Sequence, residues 1–420
     1  MKKLTKFILI VCSLFCNLNL YSQLPHWKDF KKSSIEQQSK KQKIILQQKS
    51  VKVENYVNNQ QKIIEDELNL AREYFANEQY LKAYEIYIKP SLSLYLNGND
   101  ADNIGDMYYE GKGVNKNSKI ALKWYKISAE KGNSDGQVDL AFMLLVQSDV
   151  QVNSNYSEAI SLLSKSVAQN NADAQNLLGR MYQLGIGVEV NNSVALDLFT
   201  KAANQNNAEA QNNLAAIFNN GIGVARNYKL AFNWYFRAID NGSVTALYNI
   251  ATMYETGLGV EKDLTLAFNY YAKAAEKGSS LAQYELGMMY LKGTAVDRNY
   301  ALAKEWLDKS THPEKYIALG EIYENGLGVK KDILKALHSY ETAKILDVDT
   351  AKPNIERIIR GLTSNVSNGD ISSLMLLASI YLNGEGVEID RQKAVDLYIQ
   401  AAAKGSQEAK NKLFELGEIE

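Results

Sequence analysis

The residue types best suited to chemistry are scarce in this sequence. It holds three histidines, His26, His312 and His338, and two cysteines, Cys12 and Cys16. No two histidines stand at metal-ligand spacing, and none forms part of a recognisable Ser-His-Asp arrangement. The cysteines lie in the first 16 residues, inside the one long apolar run. Once that run is removed the chain has no thiol, which excludes disulfides, cysteine-zinc sites and a cysteine nucleophile. Gly-x-Gly pairs recur, but they lack the third glycine, the following Lys-Ser/Thr and the preceding strand of a phosphate-binding loop. They are expected to cap helices. Carboxylates are abundant yet spread along the chain, so no glycosidase pair can be picked out. No catalytic, cofactor-binding or metal-ligating residue is assigned, and no cofactor is expected.

The elements carrying these residues are expected to be helical. The 420 residues are 46% hydrophobic and 23% charged, with only four prolines to interrupt helices. The N-terminus carries Lys2, Lys3 and Lys6, followed by an uncharged run from Phe7 to Phe15. That run is about half the length needed to span a bilayer. The pattern is that of a secretory signal peptide over residues 1–22, cut after Ser22 to leave Gln23. Acylation of Cys16 is the weaker reading, because Phe15 stands where a small residue is needed. The chain is therefore expected to be secreted, periplasmic or in the cell envelope.

Residues 23–64 hold nine lysines against three acidic residues, a net charge of +6, whereas residues 65–420 carry −10. The basic arm reads as a helical or disordered tether, with scattered Ile44, Ile45, Val51, Val53 and Val57. It would suit contact with anionic envelope components or self-association. The acidic body argues against a nucleic-acid ligand.

From about residue 65 the chain is periodic. Gly-x-Gly pairs begin at Gly111, Gly185, Gly221, Gly257, Gly326 and Gly384, and Gly293 marks a loop without its second glycine. The steps from 185 to 221, 257 and 293 are each 36 residues. Each unit reads as two helices. The first ends at a glycine able to adopt the left-handed conformation. The second opens at an N-cap type: Asn117, Asn155, Asn191, Asn227, Asp263, Asn299, Asp332 or Asp390. Four residues later stands an alanine in every unit, and eleven beyond that a Gly or Asn (132, 170, 206, 242, 278, 405), with Glu314 and Asp347 as exceptions. Aromatic pairs such as Trp124-Tyr125, Trp234-Tyr235 and Tyr270-Tyr271 read as core between stacked helices.

These residues resemble the Sel-one-like repeat (SLR) family, longer-loop relatives of tetratricopeptide repeats. Ala282-Gln-Tyr-Glu-Leu286-Gly287-Met-Met-Tyr290 and Tyr270-Tyr-Ala-Lys-Ala-Ala-Glu-Lys-Gly278 carry the likeness, which recurs over residues 101–405. Residues 71–87 look like an ordinary tetratricopeptide pair. The resemblance implies an all-α solenoid of about nine hairpins, a right-handed superhelix with a concave groove, and a non-enzymatic adaptor that holds a protein or peptide; the alternative is a regulatory subunit or hydrolase-like envelope protein. The β-lactamase-like activity described for cysteine-rich relatives does not carry over to a mature chain without cysteines. The expected units lie near 65–100, 101–135, 136–172, 173–208, 209–244, 245–280, 281–313, 314–347 and 370–405. An insertion covers 348–369 and a cap 406–420. Gln147–Val152 replaces the glycine loop in the third unit.

In such arrays the first helix of each pair lines the groove. Residues two before and two after its Leu, and one after its Tyr, are then expected to face the partner. This gives Asn176, Arg180 and Gln183; Asn212 and Asn219; Tyr248, Thr252 and Glu255; Tyr284, Met288 and Leu291; and Glu321 and Glu324. The series passes from amide through apolar to acidic.

Overall fold

The structure, a computed structural model, describes residues 28–146 and 152–419. The signal-peptide expectation falls on residues outside that range. The described residues form twenty α-helices and no strand. The chain divides into two compact units, Met1–Lys131 and Gly132–Glu420.

In the first unit, α1 (Lys28–Ala76) is a single helix of 49 residues. It is followed by α2 (Tyr80–Tyr87), α3 (Gly98–Glu110) and α4 (Ser118–Glu130). The C-terminal part of α1 is anchored. Leu68 and Ala71 are buried with Tyr87, Leu92 and Ile104. Arg72 donates to both oxygens of the fully buried Asp100, at 2.8 and 2.9 Å. Asp100 also closes the capping box of α3 with Asn97. Further toward the N-terminus, Ile44, Ile45, Leu46, Val51 and Val53 of the arm are exposed. The arm is thus helical over its described residues.

The second unit is a run of hairpins: α5 (Ser134–Val146) with α6 (Val152–Ala168), α7 (Ala172–Leu184) with α8 (Asn192–Asn204), and α9 (Ala208–Asn220) with α10 (Tyr228–Asp240). Next come α11 (Val244–Thr256) with α12 (Leu264–Glu276), α13 (Ser280–Lys292) with α14 (Tyr300–Lys309), and α15 (Lys315–Asn325) with α16 (Ile333–Ile345). Then α17 (Ala351–Ser367) precedes α18 (Ile371–Asn383), α19 (Arg391–Ala403) and the terminal α20 (Gln407–Glu415).

Local chemistry sets the period. The Asp263 side chain accepts from Leu266 N at 2.9 Å, which satisfies a free amide at the start of α12. Its own N–H donates to Tyr254 O at 2.9 Å, tying the loop back to α11. Gly257, at φ 77°, ends α11. Gly259 lies so close to the preceding repeat that a Cβ there would stand 2.6 Å from Tyr228 Cβ. Ala195, Ala231, Ala267 and Ala303 are fully buried, with Phe199, Tyr235, Tyr271 and Leu307 beside them in the core. The aromatic pairs therefore serve packing.

Two expectations change, and the insertion takes a definite form. Asn155 lies inside α6 and does not cap it, because that helix already begins at Val152. Asp347 is no exception to the cap register: at φ 59° it takes the left-handed position that Gly or Asn fills elsewhere. The insertion is an ordered helix, α17, whose Ile355 and Ile358 pack with Leu337, Tyr340 and Ile380. It fills the gap between two repeats with an extra amphipathic element.

Candidate partner-binding face

Within the second unit, polar side chains link successive first helices. Asn213 Nδ2 on α9 donates to Asn176 Oδ1 on α7 at 2.9 Å. One repeat on, Asn249 Nδ2 on α11 donates to Asn212 Oδ1 at 2.9 Å. The geometry recurs because each pair is 37 residues apart. Asn212 is buried at 6% exposure, so it supports the face from within and is not open to a partner. Its side chain points at the next repeat, which the two-before rule did not take into account. Asn176 and Gln183 are half-buried and Arg180 is exposed. Asn219, also half-buried, donates to its neighbour Asn220.

From α11 onward the amides give way to tyrosines and carboxylates. Tyr271 Oη donates to Glu255 Oε2 at 2.7 Å and shares a 3.2 Å hydrogen bond with Thr252 Oγ1. The Tyr248 ring lies 5.5 Å from that of Tyr271. Tyr284 stacks on His312, ring centroids 4.8 Å apart, and donates to Glu314 Oε2 at 3.0 Å. Tyr284, Met288, Glu314, Ile317, Ala318, Glu321 and Thr350 line a cavity of about 160 Å³. Leu291 is buried at 7% and packs with Ala303, Leu307 and Leu319. It is a core residue and not part of an exposed patch, since it sits on the side of α13 that meets α14. Tyr284 and Met288 are half-buried, and Glu321 is exposed.

The charges on this stretch are largely uncompensated. Burial, reinforced by Glu255 and Glu314, holds Glu285 above the ordinary carboxylate range against the pull of Lys292. Burial, with the carboxylate of Glu314, also raises Tyr284, which therefore stays a neutral donor. Glu324 differs. Arg357 grips both its oxygens, Tyr340 Oη donates to it at 2.9 Å, and its pKa is lowered, chiefly by the arginine. Glu324 is thus committed to an ion pair with the inserted α17.

The sequence reading missed Asn213, Asn249, Glu285, His312, Glu314 and Arg357. The signal for the first three was present: each directly precedes the Leu or Ile of its first helix. That position turns toward the preceding repeat. His312 and Glu314 sit in a junction outside the regular period.

A second cavity, of about 440 Å³, lies among Tyr316, Leu319, Tyr323, Leu334, Lys335, His338, Ser339 and Glu385. There Ser339 Oγ donates to Lys335 O at 2.8 Å. Among the described residues no group of three His, Cys, Asp or Glu is placed to hold a metal ion.

A family model for the Sel1 repeat matches residues 101–133, 134–171, 172–207, 208–243, 244–279, 280–311, 316–343 and 371–406. No curated protein matches the chain. Among solved structures, the chain is similar to c5321, a protective antigen of uropathogenic Escherichia coli displaying an SLR fold. The two share 26% identity at a TM-score of 0.53, over 84% of this chain and 79% of that one. A Sel1 repeat protein from Oxalobacter formigenes shares 29% identity at a TM-score of 0.42, over 66% of this chain and 96% of that one. Sel1 repeat proteins are generally scaffolds that bind protein partners. Eight matched repeats covering more than half of its length make this chain a member of the Sel1 repeat family.

Proposed function

We propose that the chain is a secreted or cell-envelope scaffold, without catalytic activity of its own, that holds a protein segment against its first helices from α7 to α15. The carrying observation is the Tyr284–Met288 cavity, which joins half-buried apolar surface to Glu314 and Glu321. Such a surface suits a segment that presents an apolar side chain next to a lysine or arginine. The amides of α7 to α11 pair with one another between repeats and hold the face rigid beside that cavity. The basic N-terminal run and the arm support export and envelope association. Exposed Ile44, Leu46 and Val53 on α1 favour a second role for the arm in self-association.

The test is affinity capture from envelope extracts with the wild-type chain and with Tyr284→Ala. A discrete partner retained by the first and lost from the second supports the proposal. Equal capture by both would move the site elsewhere. Export is tested separately: a mature chain that begins near Gln23 and titrates no thiol supports it, and a chain that retains Met1 contradicts it.

A further inference from the structure

The 440 Å³ cavity departs from the repeat at one residue. The middle of the glycine loop is apolar at Ile186, Ile222, Leu258 and Leu327, and Ile186, Ile222 and Leu327 pack against core clusters. In the last repeat this place is taken by Glu385, between Gly384 and Gly386. Other loops have polar residues there, but of a different kind. Thr294 is uncharged, and the Lys112 ammonium pairs with Glu110 at 2.6 Å.

Glu385 has no such match. Its Oε2 is inaccessible to solvent and has no hydrogen-bond partner. A buried carboxylate oxygen in that condition is costly, and the same carboxylate lines the adjoining cavity, from which a cation can compensate its charge. The adjoining cavity has the size of a small-molecule site. Tyr316, Leu319, Tyr323 and Leu334 form its apolar wall. The Lys335 ammonium is already engaged, 3.6 Å from Asp332 and over the Tyr323 ring. Glu341, which accepts from Gly386 N at 3.4 Å, adds a further negative charge, while His338 acts on Glu385 in the opposite, lowering sense.

We propose that this cavity binds a small organic cation, a primary amine or guanidine on an apolar skeleton, whose N–H groups donate to Glu385 while the skeleton lies against Tyr316, Leu319 and Tyr323. The site is independent of the partner-binding reading. Burial, and then the charges of Glu341 and Asp332, hold Glu385 above the ordinary carboxylate range, so a cation arriving there relieves an existing penalty.

The test is calorimetric titration of the full chain with 2-phenylethylamine, agmatine and the neutral 2-phenylethanol, using wild type, Glu385→Gln and Glu385→Leu. At least one cation should bind about tenfold more tightly than the alcohol, the effect of a charge-assisted hydrogen bond. Glu385→Gln should erase that advantage. Glu385→Leu, which restores the apolar residue of the other loops, should abolish binding while raising the thermal midpoint. The rise shows that the loss of binding is not a loss of fold. The proposal is overturned if neither cation binds, if the alcohol binds as well as the amine, or if Glu385→Gln binds as wild type.

Discussion

The two halves of the proposed partner face solve the same structural problem in opposite ways. From α7 to α11, side chains that meet between repeats are asparagines, and each amide finds its complement in the next repeat. From α11 to α15, the corresponding side chains are Tyr248, Tyr284 and Glu285, joined by Glu314 from the junction, and carboxylates gather faster than cations. The asparagine half is self-satisfied and rigidifies the array. The tyrosine-carboxylate half retains unspent negative charge beside half-buried apolar surface, which is what a partner can use. A repeat scaffold can thus separate stability and recognition along one face built from the same kind of helical hairpin.

The sharpest way to break the comparison is through the packing beneath it. A Cβ on Gly287 of α13 would stand 2.8 Å from Leu307 Cγ, whereas the corresponding place in α11 already holds the buried Ala251. Gly287→Val should therefore cost about 3 kcal/mol in urea unfolding. Ala251→Gly should cost about 1 kcal/mol, mainly through helix propensity. Next in size is Asn249→Ala, which leaves the buried Asn212 oxygen unpaired and should cost about 1–2 kcal/mol. Asn212→Ala belongs to the same test. Its effect should appear as lost stability, not as lost partner affinity.

The smallest effects come from pH and have opposite signs at two glutamates. Glu285 is held above the ordinary carboxylate range, so its ionised form is penalised in the fold and the penalty is complete above its folded pKa. Glu285→Gln should raise the thermal midpoint at neutral pH, and the gain should fade as pH falls toward ordinary carboxylate values. Glu324 is held low by Arg357, so its contribution is present above the ordinary value and is lost as pH falls through the depressed one. Glu324→Gln should lower the midpoint at neutral pH, and that loss too should fade with acid. Matching pH profiles of the same sign for the two variants would mean that Glu285 and Glu324 do not differ as described.

The fold was readable from sequence because its determinants are local. Residues such as Asp263 and Gly257 announce helix starts and stops by their own chemistry, and repetition makes each one confirm the others. Asn155 misled because a capping residue type does not cap when the helix begins earlier. The face was readable only in part. Leu291 and Asn212 lie at the expected helical angles, yet Leu291 is covered by the second helix of its own hairpin and Asn212 by the next repeat, and the periodicity of one helix holds no information about its neighbours. His312 and Arg357 reach the face from a junction and from the inserted α17, outside the period on which the reading depended.

Whether partners are held at the tyrosine-carboxylate half is tested most directly by photo-crosslinking in the producing cells. A photoreactive amino acid would be placed singly at Met288, at exposed Lys229 of α10 and at Lys49 of the arm. One discrete adduct is expected from position 288, diminished about tenfold when Tyr284→Ala is added, with no matching adduct from position 229. An adduct from 229 or 49 with none from 288, or one from 288 that Tyr284→Ala leaves undiminished, would contradict that expectation.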